Sequence, residues 1–222
     1  MSDTILQQLD QTGLFRDFDD EAKQQLVDMS RTQTFSSGEV IYRIGDEATA
    51  LFGVLDGAVK LLGENRSGQF FLFGLTTPGR WFGDSSALDG EPRAQTVVAA
   101  GDTKVMKLLR CDLLKLLEAR PELYQHFVTV FCLRLRQAGK VLEDAAFLSV
   151  AVRLGKQLLR LHKVREQYGI KLTREELAAS LGVSRQSIYR VLKSWEEEQW
   201  ITMSYGDVRV IEPEAIEALL VE

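Results

Sequence analysis

Leu172-Thr-Arg-Glu-Glu-Leu-Ala-Ala-Ser-Leu-Gly-Val-Ser-Arg-Gln-Ser-Ile-Tyr-Arg-Val-Leu192 decides how this chain is read. Thr173 is a helix N-cap, and Glu176, three residues on, completes a capping box. Leu177, Ala178 and Leu181 make the inner face, with Ala178 small where a second helix must cross closely. Gly182 takes the turn, where a positive φ costs a glycine least. Val183 fills the corner, Ser184 caps the next helix, and Ile188, Val191 and Leu192 turn inward. Two helices around a tight glycine turn are the helix-turn-helix layout.

The second helix leaves Arg185, Gln186, Tyr189 and Arg190 exposed near its N-terminal half. That half enters the major groove in such motifs. An arginine can bond guanine O6 and N7 together, and a glutamine can pair with adenine N6 and N7. Ser184 and Ser187 are placed to bond phosphates at the helix N-terminus. With Thr173 at the start of the first helix, these residues form the expected DNA-facing set. A surface helix pair with merely solvated charges is the alternative. Cap, small residue, turn glycine and Arg/Gln all fall in register, which favours double-stranded DNA.

The summed charge, taken alone, opposes this. The 222 residues carry 27 Lys+Arg against 32 Asp+Glu, a net −5. The balance is uneven along the chain, however. Residues 151–195 hold ten basic and three acidic residues, a net +7, whereas 196–222 hold one and eight, a net −7. The basic segment is centred on the helix-turn-helix, as phosphate binding requires.

Outward from this motif, residues 149–166 read as a helix ended by Gly169. Downstream, Trp200–Ile211 reads as a hairpin with Gly206-Asp207 at its tip, and Pro213 opens a last short helix. A helix-turn-helix followed by a hairpin is a winged one. Upstream, Pro121 to about Leu148 reads as one long helix. Val128, Phe131, Leu135, Ala138, Leu142 and Ala145 recur at alternating steps of three and four, the seam of a coiled coil, and predict homodimerisation. Phe127, Val130 and Val141 give a second apolar face toward the chain's own barrel. From about 34 to 110, short β-rich runs alternate with turn signals such as Ser37-Gly38, Asp56-Gly57, Pro78-Gly79 and Asp89-Gly90, predicting a sandwich or barrel. Residues 1–33 read as helical, with Ile5, Leu6, Leu9, Leu26, Val27 and Met29 as apolar marks. The expected fold is α+β. An N-terminal double-stranded β-helix of the jelly-roll or cupin-like kind spans 1–120, a dimerisation helix 121–148, and a winged helix-turn-helix 149–222.

Several function classes drop out. No stretch approaches the roughly 20 apolar residues of a membrane helix, so no membrane partner is expected. The N-terminus has no basic start and no apolar signal core. Two cysteines, Cys111 and Cys132, cannot build a disulfide scaffold or a four-thiolate cluster. Both lie in apolar helical stretches and read as buried thiols in a reducing cytoplasm. A metal-dependent cupin enzyme needs two or three histidines inside the barrel, and residues 34–110 contain none. A serine there has no histidine to activate it. His126 and His162 lie outside the β-rich region and read as solvated helix residues, which makes them poor axial ligands for a haem. No catalytic residue and no metal ligand is expected.

In this order, β-rich domain, long helix and terminal helix-turn-helix, the chain resembles the CRP/FNR family of bacterial transcription regulators over nearly its whole length. Ser37-Gly-Glu-Val-Ile-Tyr-Arg-Ile-Gly-Asp-Glu-Ala and Leu51-Phe-Gly-Val-Leu-Asp-Gly-Ala-Val-Lys-Leu are similar to the family's cyclic-nucleotide-binding-type β-roll. Trp81-Phe-Gly-Asp-Ser-Ser-Ala-Leu-Asp-Gly-Glu-Pro-Arg-Ala resembles its phosphate-binding cassette. Ala146-Phe-Leu-Ser-Val-Ala-Val-Arg-Leu resembles its hinge. The resemblance implies a homodimer joined along the long helix, a near-palindromic DNA site, RNA polymerase as a partner, and an effector that shifts the dimer between states. Gln186 stands where the family often has Glu, and Tyr189 where it often has a small residue. The expected half-site therefore differs from the family's usual one.

By the same resemblance, the effector site is Gly83, Asp84, Ser85, Ser86, Arg93 and Ala94. Backbone N–H groups of Gly83 through Ser86 line an anion, and Arg93 pairs with it. A nucleotide or another anionic effector is the expected ligand. Cyclic AMP is the poorer fit. Asp84 is one methylene shorter than the Glu of cyclic-AMP-binding members, Ala94 replaces a Ser or Thr, and Ala138-Gly139 replaces a Thr-Ser pair. A vestigial pocket closed by an Arg93–Asp84 ion pair is the alternative.

Overall fold

The structure, a computed structural model, describes residues 13–65, 69–204 and 207–220. Two compact units divide the chain. One is built from the chain up to Gly63 and from Gly74–Arg136, the other from Glu64–Phe73 and Gln137–Glu222.

Helix α1 (Asp20–Met29) starts where the Asp19 carboxylate accepts from the Ala22 N–H, and Ser30 closes it by donating to the Leu26 carbonyl. The eight strands that follow are β1 (Arg31–Phe35), β2 (Val40–Tyr42), β3 (Ala50–Asp56), β4 (Val59–Glu64), β5 (Phe70–Thr76), β6 (Trp81–Phe82), β7 (Thr96–Ala99) and β8 (Thr103–Leu109). They form two four-stranded sheets, β1-β8-β3-β6 and β2-β7-β4-β5. A short helix α2 (Asp84–Asp89) interrupts them after β6.

Side-chain alternation explains why β3, β6 and β8 are apolar on both faces. Leu51, Trp81, Met106 and Leu108 point to one core, shared with Ala22 and Leu26 of α1. Ala50, Phe52, Val54, Phe82 and Val105 point to the other, with Val59 and Val97 of the second sheet. The first core is closed by Leu113, Leu116 and Leu117 of α3 (Arg110–Ala119) and by Phe127. Phe15 sits at its centre, edge-on to Trp81 at 4.7 Å and to Phe127 at 5.8 Å.

A 3-10 turn at Pro121–Leu123 leads into the long helix α4 (Tyr124–Phe147). Phe127 is its buried anchor, and Val130 and Phe131 pack half-buried on the same core. Leu135 and Leu142 are 74% and 72% exposed.

The C-terminal unit contains α5 (Val150–Tyr168), capped by Ser149 and ended by left-handed Gly169. Next come α6 (Arg174–Leu181), α7 (Arg185–Glu197), the hairpin β9 (Ile201–Ser204) with β10 (Asp207–Val210), and α8 (Pro213–Ala218). Leu154, Leu158, Leu177, Ala178, Ile188, Leu192, Trp195, Ile201 and Ile216 are buried here.

Several expectations need correction. Residues 31–33 belong to strand β1, not to a helix, because β8 offers an edge that Arg31–Phe35 pairs in full register, Arg31 against Lys107 through Phe35 against Thr103. Thr32, Thr34 and Phe35 are β-formers that suit that edge. The apolar marks Ile5, Leu6 and Leu9 lie outside the described residues. Val141, expected on the second apolar face, is 63% exposed. Cys111 and Cys132 are exposed, since each falls on the outer face of its helix. His126 and His162 are half-buried, each facing a carboxylate, Asp17 at 4.0 Å and Glu166 at 3.3 Å. Asp207 belongs to β10; the rest of the hairpin tip lies outside the described residues. Among the described residues, no helix is long and apolar enough to cross a membrane, and no group of three or more His, Cys, Asp or Glu is placed to hold a metal ion.

Candidate nucleic-acid interface and anion cassette

The helix-turn-helix forms through its own caps. The Thr173 hydroxyl accepts from the Glu176 N–H, while the Glu176 carboxylate accepts from the Thr173 N–H at 2.8 Å. At Gly182, φ is +64°, and the Val183 N–H then reaches the Ala178 carbonyl at 3.1 Å. The Ser184 hydroxyl accepts from the Ser187 N–H at 3.1 Å and meets the Ser187 hydroxyl at 2.8 Å. Both serine side chains are thus engaged in starting α7. Ile188, Leu192 and Trp195 bury one face of that helix, while Val191 is only half-buried. Trp195, which the sequence did not single out, is buried beside Ile188 and Leu192.

The opposite face exposes Arg185, Gln186, Tyr189 and Arg190. Among the described residues, the side chains of Gln186 and Arg190 make no hydrogen bond or ion pair, so their polar ends are open to a ligand. Arg185 differs, because its Nη2 donates to Glu175 of α6. The sequence reading did not single out Glu175. The signal was a carboxylate in the first turn of α6, opposite the start of α7.

In the β-roll, β6 runs through Gly83 into α2, and Gly83 adopts φ +75° as that helix's N-cap. Arg93 lies behind it, only 3% exposed. Its Nη1 donates to the Gly83 carbonyl at 2.8 Å, and its Nη2 to the Ala50 carbonyl. Its guanidinium lies over the Tyr42 ring, 4.2 Å from the ring centre. Its Nε is buried with no hydrogen-bond partner. Burial pulls the Arg93 pKa below its ordinary value, partly offset by Tyr42 and Asp46. Burial likewise pushes the Tyr42 phenol up to about 12, so it is a neutral hydroxyl at physiological pH.

Asp84 is not the partner of Arg93. Its carboxylate is bonded by Arg134 of α4 at 2.6 Å, and Asp84 is almost fully buried. The Arg93–Asp84 pair of the alternative, vestigial-pocket reading is therefore absent among the described residues. The Ser86 hydroxyl donates to the Pro92 carbonyl at 3.3 Å. Ser85 and Ala94 are exposed. Gly83, Asp84, Ser86 and Arg93 thus meet in one buried place, with Ser85 and Ala94 at its rim. Tyr42 and Arg134 complete it, and neither was legible from spacing. The long-helix positions Val128, Leu135, Ala138, Leu142 and Ala145 lie exposed along α4, and Phe131 turns partly inward.

Residues 32–120 match the model of the cyclic nucleotide-binding domain, and residues 152–219 that of the Crp-like helix-turn-helix domain. The chain is 32% identical over 187 residues to the cyclic AMP receptor protein of Thermus thermophilus, covering 83% of this chain and 86% of that protein. The chain belongs to the CRP/FNR family. It is a transcription regulator of that family, with a cyclic nucleotide-binding domain and a DNA-binding helix-turn-helix. A CRP-like cAMP-activated global transcriptional regulator of Mycobacterium tuberculosis is 25% identical over 218 residues, 94% of this chain and 96% of that one. The crystal structure of the Thermus thermophilus catabolite activator protein superposes with a TM-score of 0.56 at 30% identity, covering 95% of this chain and 99% of that one. Dimers are typical of the CRP/FNR family, and the matched relatives are regulators.

Proposed function

We propose that this family member is a cytoplasmic homodimer that switches its DNA affinity when an anionic effector enters the cassette around Arg93. Arg185, Gln186 and Arg190 read base edges. Thr173, Ser184, Ser187 and Tyr189 line the DNA side. Two copies join along Val128, Phe131, Leu135, Ala138, Leu142 and Ala145, and the DNA-bound dimer works on RNA polymerase. The reading assigns no catalytic step.

One observation carries the effector part. Arg93 is a buried guanidinium with an unpartnered Nε and, among the described residues, no carboxylate within ion-pair distance. An uncompensated buried charge is unfavourable, and a bound anion relieves it. Gly83, Ser85, Ser86 and Ala94 surround that charge without adding a negative group. Asp84, the negative group that is present, is neutralised by Arg134. A phosphate-bearing ligand suits this balance. Cyclic AMP fits less well than a cyclic dinucleotide or an acidic metabolite. The short Asp84 is already engaged, and Ala94 offers no hydroxyl.

The test measures affinity for a DNA duplex selected by the protein itself, against a panel of cyclic mononucleotides, cyclic dinucleotides and acidic metabolites. One ligand class should tighten DNA binding at least about tenfold in the wild type and not in Arg93→Gln. A flat wild-type response across the panel refutes the effector reading and leaves a ligand-free sensor domain.

A further inference from the structure

The Arg185–Glu175 pair joins the helix that reads DNA to the helix that precedes it. A guanidinium has five N–H donors in a planar fork. One of them, on Nη2 of Arg185, is directed at the Glu175 carboxylate. The others stay available, and Arg185 is well exposed. Gln186 and Arg190 have no such tether among the described residues. Glu176 faces the other way, into the capping box with Thr173.

We infer that Glu175 is a positioning residue for base readout, orienting the Arg185 fork toward a guanine and opposing contacts with phosphate alone. This rests on the reading in which Arg185 reaches a base. The physical argument has two parts. A long arginine side chain loses rotamer freedom when it binds, and a tether that fixes its plane beforehand removes part of that loss. A carboxylate beside the base-reading end also repels the phosphate backbone. A wrong base, offering no bidentate acceptor, then leaves only the repulsion. Glu175 therefore raises discrimination at the base that Arg185 reads while lowering affinity for DNA in general.

Glu175 also lies in the first turn of α6, where a negative charge helps any helix. The experiment must separate that structural role from positioning. Full-length wild type, Glu175→Ala, Arg185→Ala and the double variant would each select from a randomised duplex pool. Selection is run with and without cyclic nucleotides, and binding to the winning site and its single-base variants is then measured. Arg185→Ala should lose about tenfold or more of the preference at one base position. Glu175→Ala should lose roughly three- to fivefold at that same position, with other positions unchanged, while its affinity for random duplex rises. In the Arg185→Ala background, Glu175→Ala should change the preference no further. Glu175→Gln, which keeps an acceptor but no charge, should restore most of the discrimination and keep the raised affinity for random DNA.

The inference is overturned if Glu175→Ala leaves the preference intact, or lowers it equally with and without Arg185. If Arg185→Ala itself leaves the preference intact, the base-reading role of Arg185 falls, and this inference with it. A wild-type pool that enriches no motif under any condition rejects both.

Discussion

Gly83 shows how one residue sets the cassette. It holds φ +75°, and a Cβ added there would fall 2.6 Å from Nη1 of Arg93 and 3.2 Å from the Tyr42 hydroxyl. Backbone conformation and space therefore both demand glycine. Gly83→Ala should strain the turn by about 1–2 kcal/mol and push the guanidinium off the Gly83 carbonyl. The expected outcome is a folded protein, a few degrees less stable in thermal denaturation, whose DNA binding no longer responds to effector. A Gly83→Ala variant with wild-type effector response would show that Arg93 does not need this seat. The glycine and the arginine were legible in the sequence because each residue type has a narrow range of uses in a turn and beside an anion. Tyr42 and Arg134 were not. Their contacts reach across 51 and 50 residues of sequence, to Arg93 and Asp84, and periodicity locates a strand or helix without naming what faces it.

At the scale of the element, the wing is held by one carboxylate. Asp207 at the start of β10 takes two bonds from Arg165 of α5, at 2.6 and 2.7 Å, and is only 9% exposed. Lys171 and Arg209 stand at 3.9 and 3.7 Å from it. The Arg165 bonds chiefly hold the Asp207 carboxyl below the usual range. Its folded pKa lies below its unfolded one, so the pair stabilises the unit fully above the ordinary carboxylate pKa of about 3.9. That contribution is lost as pH falls through the lower, folded value. Asp207→Asn should cost about 3 kcal/mol at pH 7, since it leaves Arg165 half-buried without its counter-charge. Urea denaturation from pH 7 down to pH 3 checks this: the gap between wild type and variant should narrow only at the acid end. A gap that stays constant over that range would place the stabilisation elsewhere. The hairpin itself was legible, because its alternating residues and Pro213 punctuate the sequence. Strand β1 was not, because its helical reading rested on composition and its strand pairing depends on β8, more than 60 residues away.

Over the whole molecule, the decisive quantity is where charge lies rather than its sum. The net −5 conceals a segment of +7 at 151–195 and one of −7 at 196–222. The sequence alone made this visible, since charge needs no fold to be counted. The structure refines which acidic residues are free to act at a distance. Glu196 accepts from the Met203 N–H at 2.8 Å and ties α7 to β9, so it has a local structural role. Among the described residues, Glu197 pairs with Lys193 at 3.8 Å, and Glu198 is exposed at the helix end. These two carboxylates close the C-terminal end of the recognition helix, where they repel a polyanion without contacting a base. Glu197→Gln with Glu198→Gln should therefore raise affinity for random duplex about three- to tenfold at low salt. The gain should vanish as salt screens the repulsion over a Debye length of about 8–10 Å. Affinity for a selected site should rise less, so the ratio of specific to non-specific binding should fall. Filter binding across a salt series measures both quantities. Unchanged random-DNA affinity at low salt would mean that the acidic tail does not restrain DNA binding. A rise that persists at high salt would point to altered packing at the end of α7 instead of electrostatics.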